Sequence, residues 1–230
     1  MTTRRKFGLG IAAIIAAGRA PAAIVRSMLG ARNAILAGGG GVPLPYDAEV
    51  EWLESTGTQW IDTGIKCAAD VGIKIVGEMF EITYDVFPAM IGAQNDTETM
   101  YFGVYEDSGI VYVGGVNEVQ LGINTKFIAE VNYLNNEITK ASFYQSTVQS
   151  SLVTHDINAN ICVFGMGKET VPISCLSKSR VYEVVISKGN QEVMWLKPVR
   201  KGSTGFFFDT ITGHTLGISG TGTLVVGQDK

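Results

Sequence analysis

Residues 50–64 read Val50-Glu51-Trp52-Leu53-Glu54-Ser55-Thr56-Gly57-Thr58-Gln59-Trp60-Ile61-Asp62-Thr63-Gly64, and this stretch decides the fold. Two short runs, each carrying a tryptophan, flank Thr56-Gly57-Thr58-Gln59, whose composition is that of a turn between strands. Asp62-Thr63-Gly64 then reads as the end of the second strand. Trp52 and Trp60 are expected inside, because buried aromatics dominate the cores of β-sandwiches.

Downstream, short alternating runs are separated by turn residues, and no helical period of useful length occurs. Val71–Met79 reads as a strand. Tyr101–Tyr105 and Ile110–Val113 flank Glu106-Asp107-Ser108-Gly109, a hairpin with glycine at its turn. Phe127–Leu134 and Glu137–Phe143 flank Asn135-Asn136, asparagines being tolerant of positive φ. Arg180–Ser187 and Gln191–Leu196 flank Lys188-Gly189-Asn190, a third hairpin, and Gly205–Asp209 and Thr223–Val226 close the chain. Successive hairpins at this spacing predict an all-β, antiparallel two-sheet sandwich. Ile61, Phe127, Val184, Ile186, Trp195 and Phe207 join the two tryptophans as expected core.

Composition agrees. Of 230 residues, 46% are hydrophobic and 17% charged, enough for a core. The 28 glycines suit turns and bulges better than helices. Residues 1–46 hold no acid but six cations, so the remainder has 12 basic against 22 acidic residues, a net charge of −10. That balance argues against nucleic acid as a partner. Lys197, Arg200 and Lys201 are the one dense basic cluster of the body. Cys67, Cys162 and Cys175 give neither zinc-site spacing nor a disulfide framework; a local Cys162–Cys175 bridge and three buried apolar thiols are both open.

Residues 50–64 resemble the opening of concanavalin-like, laminin-G-like jelly-roll domains of gut bacterial surface proteins and of phage or prophage proteins, where the run is close to "VEYLESTGTQYIDTGI". The closing part resembles them too: Glu192-Val193-Met194-Trp195-Leu196-Lys197-Pro198-Val199-Arg200, then Gly205-Phe206-Phe207-Phe208-Asp209, then Ser219-Gly220-Thr221-Gly222-Thr223-Leu224. The middle matches in rhythm alone. The resemblance implies a jelly roll over 42–230, with the strand around Val50–Ser55 near that around Thr223–Val226. Members of the family commonly bind glycans or extracellular partners, and fold transfers better than function.

The first 41 residues read as a leader and linker. Thr3-Arg4-Arg5-Lys6-Phe7-Gly8-Leu9, an apolar run to Ala17, and Ala20-Pro21-Ala22 give the charged start, apolar core and small-residue end of an export signal. Arg4, Arg5 and Phe7 resemble a twin-arginine (Tat) signal, a receptor-read address that leaves no membrane span after removal. An exported protein, periplasmic, surface-bound or secreted, is implied. Residues 38–41, four glycines, separate this segment from the domain.

Little in the sequence carries catalysis. There is no nucleophile elbow or P-loop, and His155 and His214 lie in no metal-ligand spacing. Glu49, Glu51 and Glu54 have the spacing E-x-E-x-x-E; retaining β-glucanases on this fold use E-x-D-x-x-E. Here the middle residue is Glu51, and the run opens the domain with no room for preceding strands, so a non-catalytic protein is expected. For binding, Asn95, Asp96, Tyr101 and Asp107 offer an aromatic face beside planar hydrogen-bonding groups. Asp96, Glu98 and Asp107 offer oxygen ligands of the kind calcium takes, the one cofactor the sequence suggests. The ligand class expected is a glycan or an extracellular protein; a structural or adhesive protein without a small ligand is the alternative.

Overall fold

Alternation of inward apolar and outward polar side chains organises the computed structural model, which describes residues 43–80, 88–96, 101–107, 110–113, 117–119, 124–134, 137–143, 146–148, 157–171 and 173–230. In chain order the strands are β1 (Ala48–Glu49), β2 (Leu53–Thr56), β3 (Gln59–Lys66), β4 (Val71–Met79), β5 (Ala89–Gln94), β6 (Tyr101–Asp107), β7 (Ile110–Val113), β8 (Asn117–Val119), β9 (Phe127–Leu134), β10 (Glu137–Phe143), β11 (Ser146–Val148), β12 (Asn160–Val163), β13 (Met166–Lys168), β14 (Lys178–Lys188), β15 (Gln191–Lys201), β16 (Thr204–Asp209), β17 (His214–Leu216), β18 (Ser219–Gly220) and β19 (Val225–Val226). No helix occurs among the described residues. Arg4, Arg5 and Phe7 lie outside them.

The strands form two sheets. The larger runs β11-β10-β9-β4-β14-β15-β16-β17; β2 shares with β15 the edge of β14 that β4 leaves open, β1 pairs with β15, and β19 pairs with β2. The smaller runs β18-β3-β12-β5-β6-β7-β8, with β13 on β5 in the one parallel pairing. The three expected hairpins, β6–β7, β9–β10 and β14–β15, all form in antiparallel register. Val225 and Val226 face Glu54 and Leu53, so the first and last segments are neighbours as expected.

Between the sheets lies one apolar core. Ile73, Ile75, Val184, Ile186, Leu196 and Phe207 reach in from the larger sheet, and Ile61, Ile91, Val104 and Ile161 from the smaller. The core ends cleanly at β16. There the fully buried carboxylate of Asp209 accepts the N–H groups of Trp195 (2.9 Å), Ile211 (3.1 Å) and Thr212 (3.3 Å) and the Thr212 hydroxyl (2.6 Å). A buried carboxylate is tolerable only when so many donors satisfy it.

Two expectations need correction. Trp52, Trp60 and Trp195 are half-exposed rather than buried. Strand parity forces this: Leu53, Ile61 and Leu196 take the inward positions at 0% exposure, and side chains one residue apart point to opposite faces. Asp62-Thr63-Gly64 does not end the second strand. It forms a bulge within β3, where the register against β12 slips between Asn160 and Cys162. Gly64 takes φ 70°; its N–H donates to Asp62 Oδ1 at 2.7 Å, while Thr63 Oγ1 donates to the Ile161 carbonyl at 2.7 Å. Such a bulge bends a strand without ending the ladder. Of the two readings left open for the cysteines, the structure shows separate thiols with no disulfide, Cys67 and Cys162 buried and Cys175 half-buried, and burial, helped by the charge of Asp62, pushes the Cys162 thiol up to about 12.

Thr56-Gly57-Thr58-Gln59 makes a turn, but not a hairpin. It carries the chain from β2 in the larger sheet to β3 in the smaller, with Gly57 at φ 94°. Gln59, 2% exposed, holds this corner. Its Oε1 accepts from Thr56 N (2.9 Å), Thr56 Oγ1 (3.1 Å) and Ser55 Oγ (3.2 Å). Its Nε2 donates to the Thr221 carbonyl at 2.7 Å, and Thr58 Oγ1 donates to the same oxygen at 2.9 Å. Gly220 packs so closely that a Cβ there would stand 2.0 Å from the Thr58 carbonyl oxygen. Replacing Gln59 with Ala orphans these buried partners and is expected to cost about 2–3 kcal/mol in urea unfolding. Gly220→Ala should destabilise as well, since backbone must move. Wild-type midpoints for both would remove this corner as a determinant of the fold.

The last residues continue as a ladder against the first. Gly227 N donates to the Trp52 carbonyl, Glu51 N to Gln228 and Lys230 N to Glu49. A two-pronged ion pair, Arg200 Nε to Asp229 Oδ1 (2.6 Å) and Nη2 to Oδ2 (2.5 Å), fastens it. The Arg200 bond is the main cause that holds the Asp229 carboxyl below its ordinary value. A depressed carboxyl stabilises above the unfolded pKa and loses that contribution as pH falls through the folded one. Protection of the amides at residues 225–230, taken relative to unfolded-chain exchange at the same pH, should therefore fall below about pH 4, ahead of the core strands, and Asp229→Asn should show the lost protection already at neutral pH. Uniform exchange across the sheet at every pH would disprove the ion pair's role.

Candidate binding face of the larger sheet

The outer face of the larger sheet collects the side chains that alternation excludes from the core. Lys74, Val76 and Glu78 project from β4, and Arg180 and Tyr182 from β14. The β4–β14 register slips between Val181 and Glu183, and that irregularity puts the sequence neighbours Tyr182 and Glu183 on one groove. Trp52 sits just ahead of β2, one residue from the inward Leu53.

Arg180 is the hub. Its guanidinium lies 3.8 Å from the centroid of the Trp52 ring and 4.8 Å from that of Phe80. It donates to Glu54 Oε2 from Nη2 (2.7 Å) and Nε (3.2 Å), and to Glu78 Oε2 from Nη1 (3.3 Å). Tyr182 Oη donates to the same Glu78 oxygen at 3.2 Å. Burial pulls the guanidinium pKa down, but the bonds with Glu54 and Tyr182 and the charge of Glu54 outweigh it and leave it raised. Burial raises the Tyr182 phenol, and Glu78 adds to this against the opposing Arg180. Lys126 Nζ rests on the other aromatic, 3.8 Å from the Tyr182 centroid. Beside them opens a groove of about 430 Å³ lined by Glu51, Val76, Lys126, Tyr182, Glu183 and Lys230.

Further along β15, Lys197 Nζ stands 5.8 Å from the Trp195 centroid and 3.5 Å from Glu49 Oε1. The Trp195 indole Nε1 is buried without a hydrogen-bond partner among the described residues. The basic cluster is thus divided between carboxylates, Lys197 with Glu49 and Arg200 with Asp229. Of the E-x-E-x-x-E run, Glu49 and Glu54 are engaged by cations, while Glu51 is exposed and lines the groove.

The rim expected from sequence does not assemble as one group. Asn95 is 8% exposed. Asp96 Oδ1 accepts from Thr170 N at 2.9 Å. Tyr101 lies opposite Gln94 at that end of the β5–β6 hairpin, but Asp107 lies at the far end of β6, beyond the Ala89–Tyr105 pair. Six residues of strand separate Tyr101 from Asp107, about 20 Å. Glu98 and His155 lie outside the described residues. His214 is exposed, paired with Asp209 across β16–β17. No cluster of three or more potential metal ligands occurs among the described residues.

Arg180, Tyr182 and Lys126 escaped the sequence reading because their significance lies in cross-strand register, which joins positions 52, 54, 78, 126 and 180–183. The available signal was parity: Arg180 and Tyr182 alternate with the inward Val181. No family model and no curated protein matches the chain.

Arg180→Ala would leave Glu54 and Glu78, 16% and 14% exposed, facing each other without their cation. A loss of about 1–3 kcal/mol at pH 7 is expected for a partly buried pair. Glu78→Gln, which removes one of the two like charges, should rescue part of it. A deficit left unchanged by Glu78→Gln would assign Arg180 a packing role alone.

Proposed function

We propose that this chain is an exported, non-catalytic module of the concanavalin-like, laminin-G-like jelly-roll type that binds a glycan or an extracellular partner on the outer face of its larger sheet. The observation that carries this reading is the placement of Trp52, Tyr182 and Trp195. These large aromatics stand half-exposed, Tyr182 lining a groove, while aliphatic residues and phenylalanines fill the core. Aromatic and arginine side chains on a surface are what recognition sites are made of. The jelly-roll assignment rests on the residues of the first corner and of the closing Ser219–Leu224 loop, and export rests on Arg4, Arg5 and Phe7.

A second reading, a structural or adhesive protein without a small ligand, draws on a different observation: each ring already carries a cation from its own chain. A glycoside hydrolase is the third, and the engagement of Glu49 and Glu54 by Lys197 and Arg180 weighs against it. The test is a glycan array followed by calorimetry on the full chain, with Tyr182→Ala and Trp195→Ala as variants. A shallow site predicts a Kd near 1 mM, about −4 kcal/mol, weakened at least tenfold in either variant. Binding lost in Tyr101→Ala instead would move the site to the β5–β6 rim. Sugar release abolished by Glu54→Gln would overturn the non-catalytic assignment.

A further inference from the structure

Resting on that reading of the outer face, we propose that residues 225–230 are a latch on it: closed, the segment walls the groove and supports Trp52; open, it withdraws from both while the core stays folded. The segment is built to come away by itself. Leu224, 3% exposed, is the last side chain of the core. Of the residues that follow, Val226 and Gly227 are half-buried and the rest are exposed. The backbone bonds run to one neighbour, residues 49–54. Val225 and Val226 pair with Glu54 and Leu53. Gly227 N donates to the Trp52 carbonyl (3.0 Å), Glu51 N to that of Gln228 (2.8 Å) and Lys230 N to that of Glu49 (3.0 Å). The side-chain clasp is the surface pair of Asp229 with Arg200. Few apolar contacts and exposed hydrogen bonds are what let a segment open without global unfolding.

Part of the outer face departs with it. Lys230 lines the groove together with Glu51 and Tyr182. Gly227 packs on Trp52: a Cβ there would stand 2.9 Å from both Cδ2 and Cε2 of the indole. Gly227 has no positive φ, so what excludes a side chain at this place is Trp52. The same ring carries the Arg180 guanidinium at 3.8 Å, the group that holds Glu54 and Glu78. The latch therefore backs the ring on which the hub rests. A ligand that touches the groove or Trp52 binds the closed state alone. Its apparent affinity is scaled by the closed fraction, and its binding in turn protects residues 225–230.

The experiment is hydrogen exchange followed by NMR on the full chain without ligand, protection being taken relative to unfolded-chain rates. The variants are Arg200→Gln at the clasp, Trp52→Ala at the ring, Gly227→Ala between them and, as a control of equal charge change, Lys201→Gln at the exposed end of β15. In Arg200→Gln and in Trp52→Ala, protection at Glu51, Gly227 and Lys230 should fall by about threefold or more, with β5 and β12 unchanged, because coupling between ring and segment is reciprocal. Gly227→Ala should move the Trp52 indole N–H resonance and leave that of Trp60 in place. Lys201→Gln should change neither. Loss of protection spread equally over β5 and β12 would mean that the segment opens only with the whole domain, and equal loss in Lys201→Gln would mean a diffuse charge effect; either overturns the proposal. Unchanged protection in Trp52→Ala, or an unmoved Trp52 resonance in Gly227→Ala, would separate segment from ring and overturn it as well. No ligand enters these measurements, so a failed latch leaves the binding-face reading standing, and a face that binds nothing leaves the latch standing.

Discussion

The side-chain amide of Gln59 joins two parts of the chain 162 residues apart, and the sandwich depends on that junction. A two-sheet fold must bring its first and last strands together, and closing so long a loop costs entropy that specific contacts have to offset. Here the first corner contributes Ser55, Thr56, Thr58 and Gln59, and the last loop contributes the Thr221 carbonyl and the close-packed Gly220. Neither half is satisfied alone. The corner's buried Gln59 amide needs the loop, and the loop is held on the corner both by these side chains and by backbone pairing, Gly220 opposite Gln59 and Thr221 N donating to the Thr58 carbonyl. That is why the two ends of the domain carry specific residues while the strands between them carry chiefly a rhythm.

The junction also fixes which way each face looks. Once Gln59 is inward, Ile61 is inward and Trp60 is not; once Ser55 is inward, Leu53 is inward and Trp52 and Glu54 are not. The corner thereby delivers Glu54 and Trp52 to the outer surface next to β14, where Arg180 meets both. A guanidinium suits this place because its planar fork binds two carboxylates while its face lies on a ring. Lysine could do one of these things at a time.

This dependence explains what the sequence disclosed and what it hid. Hairpins were legible because their determinants, turn residues between alternating runs, are local: Lys188-Gly189-Asn190 declares β14–β15 unaided. The tryptophans were misplaced because size was allowed to outrank parity. Leu53 and Ile61 each adjoin a tryptophan, so only one of each pair could be inside, and the buried polar Ser55 and Gln59 made the tryptophan side look like the core side. The sequence reading ended one strand at Tyr105 and placed Asp107 in the turn after it, whereas β6 runs unbroken from Tyr101 to Asp107. Short strands with little alternation, such as β12, β13 and β18, left no readable mark, and neither did the outer-face cluster, which exists only through pairing among β2, β4, β9 and β14.

The chemistry of that face constrains any ligand it takes. Its aromatic rings are not bare platforms; each already holds a cation, so a ligand stacking on one must displace an attraction worth about 0.5–1 kcal/mol at an exposed site. A neutral sugar would gain its stacking and lose the cation–ring contact, with little net result. On the proposed glycan-binding reading, a single shallow groove gives weak affinity, which display of many copies against a repeating polymer would raise by about 10²–10⁴.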